Sequence, residues 1–288
     1  MSQLRESAPI LEVRGLCKRY PSFSLEDVSF SLARGRITGF IGRNGAGKST
    51  TLKSLLGFVH ADAGEILFSG RPFAEREREI RREIGFVSGG MREYANKRLS
   101  TITSVTKSFY PNWDDDAYAD CMRRFALDER KTPAQLSSGM QVKYSIALAL
   151  SHHAELLILD EPTSGLDPVS REDLLELLLT LSREGKTVLF STHITSDLDL
   201  CADDIIYIRG GRIFDACPID AFVGRYLVAE YEEATLTEAQ RAVLIGERIG
   251  KSACRALIPS ERAALFSASQ LCRADLEAVM VHLEKEGE

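Results

Sequence analysis

Residues 42–50 read GRNGAGKST. The run fits G-x-x-x-x-G-K-[ST], with Gly42, Gly47, Lys48 and Ser49 at the fixed positions. The run before it, Arg36 to Ile41 (RITGFI), is short, apolar and β-branched and reads as a strand. The run after it, Ser49 to Val59 (STTLKSLLGFV), carries Leu52, Leu55, Leu56 and Val59 at helical spacing. A strand, a glycine-rich turn and a helix are the context this motif needs to cradle phosphates. A triphosphate wants many donors at close range. Gly42, Gly45 and Gly47 let the backbone turn its N–H groups inward with no Cβ in the way. The new helix points its unpaired N–H groups and positive dipole end at the same anion. Lys48 adds a point charge near the outer phosphates, and the Ser49 hydroxyl suits a magnesium ligand.

The chain has 288 residues, room for one large domain or one domain with an appendage. Its hydrophobic content of 44% and charged content of 27% are those of a soluble globular protein. A net charge of −6 argues against nucleic acid as the main partner. No apolar run is long enough to span a bilayer, and the N-terminus (MSQLRESAPI) has no signal-peptide core. The expected location is therefore cytosolic, with docking on a membrane protein left open. The six cysteines lie in no CxxC pair and near no histidine at metal spacing, so they read as reduced structural thiols.

Residues 10–33 alternate as strands do, and GEILF (64–68) and IGFV (84–87) read as further strands. Tyr20, 28 residues ahead of Lys48, is either a turn aromatic or a ring that stacks on a purine. Residues 75–83 (EREREIRRE) read as a charged surface helix, and residues 91–110 show little periodicity. Asp114 to Asp116 mark a helix start rather than a metal site, with Tyr118, Met122 and Phe125 as the apolar stripe. LSSGM (136–140) opens another helix, with Ser137 or Ser138 as N-cap. LLIL (156–159) suits a buried parallel strand, and PTSGLDP (162–168) is a loop before a leucine-rich helix closed by Gly185. TVLFS (187–191) is another strand, and DIIYIRGGRI (204–213) reads as a hairpin turning at Gly210-Gly211. This alternation predicts an α/β fold: a mostly parallel sheet covered on both faces, with an antiparallel portion near the N-terminus. Composition shifts after Phe222. The rest reads as a small α+β appendage of a strand (RYLVAEY), a helix (TEAQRAVLIG), a weak strand (ACRALI) and a final helix (ADLEAVMVHLEK).

The chemistry gathers at strand ends. Asp160 ends a buried strand, where a carboxylate can hold magnesium beside a phosphate loop. Glu161 beside it is free to orient or deprotonate a water. His193 follows the next strand and can reach the same sheet edge. His60, His152, His153 and His282 have no such placement and read as surface or packing residues. The serine and glycine of LSSGM make a second anion site at a helix start. Its separation of 88 residues from Lys48 does not say whether it faces the same nucleotide.

GRNGAGKST, LSSGM, LLILDE, SGLD and STH, in that order, resemble the ATP-binding subunit of ABC transporters over roughly residues 8–220. FYPNWDDD, ALALSHHAELLILDEPTSGLDPVSR and FSTHITSDL further resemble the YtrB-type bacterial subgroup. The resemblance implies a P-loop ABC-type ATPase domain over residues 1–221, with a helical signature subdomain at about 88–152, and an extension over 222–288. It implies a head-to-tail dimer, of two copies or with a paralogue, that sandwiches ATP and Mg2+. Each nucleotide would lie between the loop Gly42, Arg43, Asn44, Gly45, Ala46, Gly47, Lys48, Ser49 and Thr50 of one chain and the LSSGM of the other. Tyr20 would stack on adenine, Ser49 and Asp160 would bind magnesium, and Glu161 would be the general base. His193 would contact the γ-phosphate, Ser137 and Gly139 would close on the partner's ATP, and Asp167 would couple the sites. A separate integral-membrane subunit is implied, with an export role and a place on the inner face of the cell membrane. Two positions depart from the pattern. Gly89 stands where most such subunits carry a glutamine that senses the γ-phosphate and touches the membrane subunit, with Glu93 nearby; LSSGM replaces the commoner LSGGQ.

Two other readings compete. Soluble ABC ATPases of DNA repair carry a long coiled coil between phosphate loop and signature, and these 88 residues hold no sustained heptads. Translation types carry two ATPase domains in one chain, and this chain has one. A nucleotide-gated switch with little turnover is the second alternative, motivated by Gly89. No NKxD motif supports a GTPase; Asn96-Lys97-Arg98-Leu99 lacks the acid.

Overall fold

A computed structural model describes residues 8–88, 94–250 and 253–286, so Gly89 and Glu93 lie outside the described residues. The chain divides into two compact units, one of Met1–His193 with Cys201–Ala216, the other of Ile194–Leu200 with Cys217–Glu288.

In the first unit, β1 (Leu11–Tyr20), β2 (Phe23–Leu32), β4 (Ala63–Phe68) and β5 (Arg71–Pro72) form an antiparallel sheet of order β2-β1-β4-β5. The predicted alternation holds: Leu25, Val28, Phe30 and Leu32 are buried while Glu26, Ser29 and Ser31 face out. A second sheet is built from β3 (Ile37–Ile41), β6 (Ile84–Ser88), β7 (Leu156–Asp160), β8 (Thr187–Ser191), β9 (Asp204–Arg209) and β10 (Arg212–Pro218), in the order β10-β9-β3-β8-β7-β6. β3, β8, β7, β6 and β9 pair parallel. Every residue of β3 and β8 is buried, which is why ITGFI and TVLFS run continuously apolar. The register sets Phe40 and Asp160 each against Ser191. The loops after β3, β7 and β8 therefore leave the sheet at one edge, where ligands of open α/β sheets bind.

The helices of this unit are α1 (Lys48–Leu55), α2 (Phe73–Ile80), α3 (Leu99–Lys107), α4 (Asp115–Arg124), α5 (Ser138–Ser151) and α6 (Pro168–Arg183). α1 stops four residues short of Val59, because Gly57 takes φ 69 just past its end. Asp114 caps α4, accepting from the Asp116 and Ala117 amides at 3.0 and 2.9 Å, so the acid cluster is a helix start as read. α3 is a helix the pattern did not disclose. Its sequence, LSTITSVTK, is rich in β-branched residues with poor helix propensity. Packing supplies what propensity lacks: Leu99 and Ile102 join Tyr118, Met122, Leu136 and Tyr144 in one core. Thr103 Oγ1 lies 2.8 Å from both the Tyr118 and the Tyr144 hydroxyl, and Tyr144 donates to the Leu99 carbonyl at 2.9 Å. Burial pushes the Tyr144 phenol up to about 12 and raises Tyr118 as well.

His152, just past α5, packs as expected. Its ring stacks on Tyr110 at 3.8 Å, with Nδ1 3.0 Å from the Arg82 carbonyl. Burial pushes its pKa down to about 4 from an ordinary 6.5. A depressed histidine stabilises the fold fully above the ordinary value and loses that contribution as pH falls toward the folded one. The contribution is at most about 3 kcal/mol, at 1.36 kcal/mol per unit. Urea unfolding at pH 7 and pH 5 tests this: the stability advantage of the wild type over His152→Phe should shrink at pH 5. An advantage independent of pH would show that His152 does not resist protonation in the folded chain.

The second unit contains α7 (Thr195–Cys201), apart from its last residue, and α8 (Ile219–Val223), β11 (Tyr226–Tyr231), α9 (Glu238–Arg241), β12 (Ile245–Ile249), β13 (Cys254–Pro259), β14 (Leu271–Arg273) and α10 (Leu276–Lys285). Its sheet runs β12-β13-β11-β14, all antiparallel. One face holds Ala229, Tyr231, Ala256, Ile258 and Phe266. The helix expected over TEAQRAVLIG is corrected here: only Glu238–Arg241 is helical, and residues 245–249 form β12. Gly246 takes φ 59, and a Cβ there would lie 1.8 Å from the His282 carbonyl oxygen. Val243 and Leu244 pack on the sheet's core instead of extending a helix. Among the described residues no helix is long and apolar enough to cross a membrane.

Candidate functional site

The loop between β3 and α1 is shaped by its glycines. Gly45 has φ 82 and Gly47 φ 115, and a Cβ on Gly42 would stand 2.3 Å from the Ile208 carbonyl oxygen. The loop can therefore close on itself and turn its amides toward one cleft. That cleft measures about 460 Å3, and Arg43, Asn44, Gly45, Gly47, Lys48, Ser49 and Thr50 line one side of it. Glu161, Ser164 and His193 line the other. Ala46, buried beneath the loop, donates its amide to the Arg43 carbonyl at 3.0 Å.

Lys48 is only 6% exposed, and its Nζ donates to the Gly42 carbonyl at 2.7 Å and to that of Arg43 at 3.4 Å. Burial pulls its pKa down, while Glu161 and Asp160 push back. The Glu161 Oε1 lies 4.0 Å from Nζ, so the ammonium is poised between loop carbonyls and a carboxylate. An entering phosphate would offer it a stronger acceptor.

Glu161 sits at φ 52, a left-handed conformation that costs a non-glycine residue free energy. Ser191 holds it there: the Glu161 amide donates to both the Ser191 carbonyl and its Oγ at 3.1 Å. The same Oγ donates to Asp160 Oδ1 at 2.6 Å. Glu161 Oε2 lies 2.7 Å from His193 Nδ1, so the carboxylate and imidazole form one unit beside the phosphate loop.

The Ser49 hydroxyl and Asp160 Oδ1 lie 3.5 Å apart. A hydroxyl and a carboxylate, with water and phosphate completing the shell, are the hard oxygen donors Mg2+ prefers, so these residues fit the ion. No group of three or more His, Cys, Asp or Glu side chains that could hold a metal exists among the described residues.

Three predicted residues lie elsewhere in the chain. Ser137 caps α5, accepting from the Met140 amide at 3.2 Å, and is exposed; Gly139 is buried. A Cβ on Gly139 would come within 3.2 Å of Ser170 Cβ, so the signature helix starts close against α6. Asp167 caps α6 and takes the Ser170 hydroxyl at 2.6 Å, a bond that holds its pKa low. None of the three lines the phosphate cleft. Tyr20, 42% exposed, does not line it either, and its ring carries the Lys18 ammonium at 5.9 Å.

Two site residues were missed. Ser191 carries no signal of its own within STH; its part in the site comes from its register against Asp160. Phe23 lines the cleft because the turn after Tyr20 places it opposite that residue.

The family model described as ABC transporter matches residues 25–164. The bacitracin transport ATP-binding protein BcrA of Bacillus licheniformis is 32% identical over 243 residues, spanning 83% of this chain and 79% of that protein. The Nod factor export ATP-binding protein I of Burkholderia lata is 34% identical over 243 residues, 80% of each chain. The ABC transporter ATP-binding protein YtrB of Bacillus subtilis is 28% identical, over 76% of this chain and 75% of that one. A solved structure of an ATP-binding subunit of an ABC transporter superposes with a TM-score of 0.66 at 30% identity, covering 74% of this chain and 91% of the other.

Proposed function

The chain belongs to the ATP-binding subunits of ABC transporters and is an ATPase, and from that premise we propose that it powers export through a separate integral-membrane subunit. A relative named for Nod factor export supports the direction. In this reading residues 1–221 are the ATPase domain and 222–288 an extension, and the protein works at the inner face of the cell membrane.

The Glu161–His193 pair beside Lys48 carries the chemistry. The loop amides and Lys48 hold the β- and γ-phosphates, and Ser49 and Asp160 would hold a magnesium ion, which would neutralise phosphate charge. Glu161 takes a proton from the attacking water, and His193 orients that carboxylate and reaches the γ-phosphate. Tyr20 and Phe23 are the rings available to the base. Ser137 and Gly139 line no part of their own chain's cleft, which supports a head-to-tail dimer in which they close on the nucleotide of a second copy or a paralogue. Asp167, at the start of α6, would link the two sites.

An aromatic groove of about 380 Å3 in the first unit, lined by Phe58, Phe86, Tyr94 and Tyr110, suits an apolar segment of the membrane subunit. Phe58 and Tyr94 are 58% and 53% exposed in it, a large apolar surface to leave in water. Tagged protein from gently solubilised cells should carry a stoichiometric integral-membrane protein, and Phe58→Asp should lose it while still binding ATP. Recovery of the wild type from the cytosol alone would overturn the transport reading in favour of a soluble ATPase.

A further inference from the structure

The end of β8 grips Glu161 twice. His193 meets its carboxylate at 2.7 Å. Ser191, the last residue of the strand, takes its backbone amide at 3.1 Å on both the carbonyl and the hydroxyl oxygen. The grip is anchored, since Thr192 between them is buried and donates its amide to the Phe40 carbonyl of β3 at 3.3 Å.

The Ser191 hydroxyl has one proton to give, and its neighbours decide where it goes. An ionised carboxylate only accepts, so the proton points at Asp160 Oδ1, 2.6 Å away, a length usual for a charge-assisted bond. The oxygen's lone pairs are left for the Glu161 N–H. The bonds therefore run one way, from the Glu161 amide through the Ser191 hydroxyl to Asp160, and bonds chained in this manner polarise one another. Ser191 is 0% exposed, so bulk water cannot stand in for it. The hydroxyl is not needed merely to satisfy the Glu161 amide, because the Ser191 carbonyl already accepts from it. What the hydroxyl adds is the link to Asp160, whose Oδ1 lies 3.5 Å from the Ser49 hydroxyl, the other oxygen donor suited to magnesium. One buried oxygen atom thus touches both the left-handed backbone of Glu161 and the carboxylate of Asp160.

We propose that Ser191 is a positioning residue for ATP hydrolysis: its hydroxyl locks the base Glu161 and the magnesium ligand Asp160 into one geometry, so that neither takes its working pose without the other. The proposal rests on the roles given above to Glu161 and Asp160.

The test compares full-length wild type with Ser191→Ala and Ser191→Cys. Removing a partner that orients a metal ligand typically costs about 10- to 100-fold in metal affinity or activity, and Ser191→Ala should lose kcat in that range with little change in KM for ATP. The Mg2+ concentration for half-maximal rate should rise. A second readout needs no turnover: the rise in melting temperature that Mg2+ adds to the protein holding a non-hydrolysable ATP analogue should shrink. ATP affinity in EDTA should stay at the wild-type value, since the phosphate loop is untouched. Ser191→Cys fills the same space with a weak donor and should stay impaired. Wild-type kcat and Mg2+ response in Ser191→Ala would overturn the proposal. So would full recovery in Ser191→Cys, which would make the role one of packing, or an equal loss of ATP affinity in EDTA, which would make it support of the loop. The underlying roles fail separately: Glu161→Gln at the wild-type rate would remove the base, whereas an impaired Glu161→Gln beside an unaltered Ser191→Ala would sink only the part given to Ser191.

Discussion

Replacing Glu161 with glutamine is expected to slow ATP hydrolysis by about 10²–10⁴-fold and to leave ATP binding intact, the range for loss of a positioned general base. The structure makes this a sharp substitution. Glutamine keeps the size of the side chain and its reach to His193, 2.7 Å away, but cannot take a proton. The backbone strain at φ 52 is unaffected, because the Ser191 carbonyl and hydroxyl hold the Glu161 amide rather than its side chain. Losing a carboxylate 4.0 Å from Lys48 also removes a competitor for that ammonium, so nucleotide affinity should hold or rise. If ATP closes two chains on each other, the variant should accumulate as an ATP-bound dimer, visible by size-exclusion chromatography. A variant that hydrolyses ATP at the wild-type rate would remove Glu161 from the role and shift attention to His193.

The sheet and its phosphate loop were legible because buried parallel strands announce themselves as apolar runs. LLIL and TVLFS became β7 and β8 nearly to the residue, and their ends carry Asp160 and, two residues on, His193. α3 was opaque because LSTITSVTK has no propensity to report; it is helical only through contacts with Tyr118 and Tyr144, distant in sequence. The appendage misled for the opposite reason. TEAQRAVLIG has helical composition, yet Gly246 must pass beneath the His282 carbonyl, a constraint set by a helix thirty-six residues later. In the site, residues that act through the backbone or through register were harder to see than those with reactive side chains. Ser191 is the clearest case, since its importance comes from facing Asp160 across β7 and β8 rather than from its place in STH.

Lys48→Ala should stop hydrolysis by a different route, weakening ATP binding by about 30- to 10³-fold, the loss of roughly 2–4 kcal/mol expected when a buried charge contact to an anion is truncated. The empty protein should tolerate the change. Burying this ammonium is unfavourable, as its lowered pKa shows, and removing it relieves that penalty. Against this stands the lost bond to the Gly42 carbonyl, at 2.7 Å, worth about 1.5–3 kcal/mol for a charged donor. The two effects oppose, so the ligand-free melting temperature should move little. The stabilisation that ATP confers on the wild type should nearly vanish. Fluorescent nucleotide titration and thermal melts with and without ATP read both quantities. Together the two variants separate the steps: Glu161→Gln binds ATP without hydrolysing it, whereas Lys48→Ala fails at binding. Full ATP affinity in Lys48→Ala would mean that the loop amides alone hold the phosphates and that Lys48 only props the empty loop through Gly42 and Arg43.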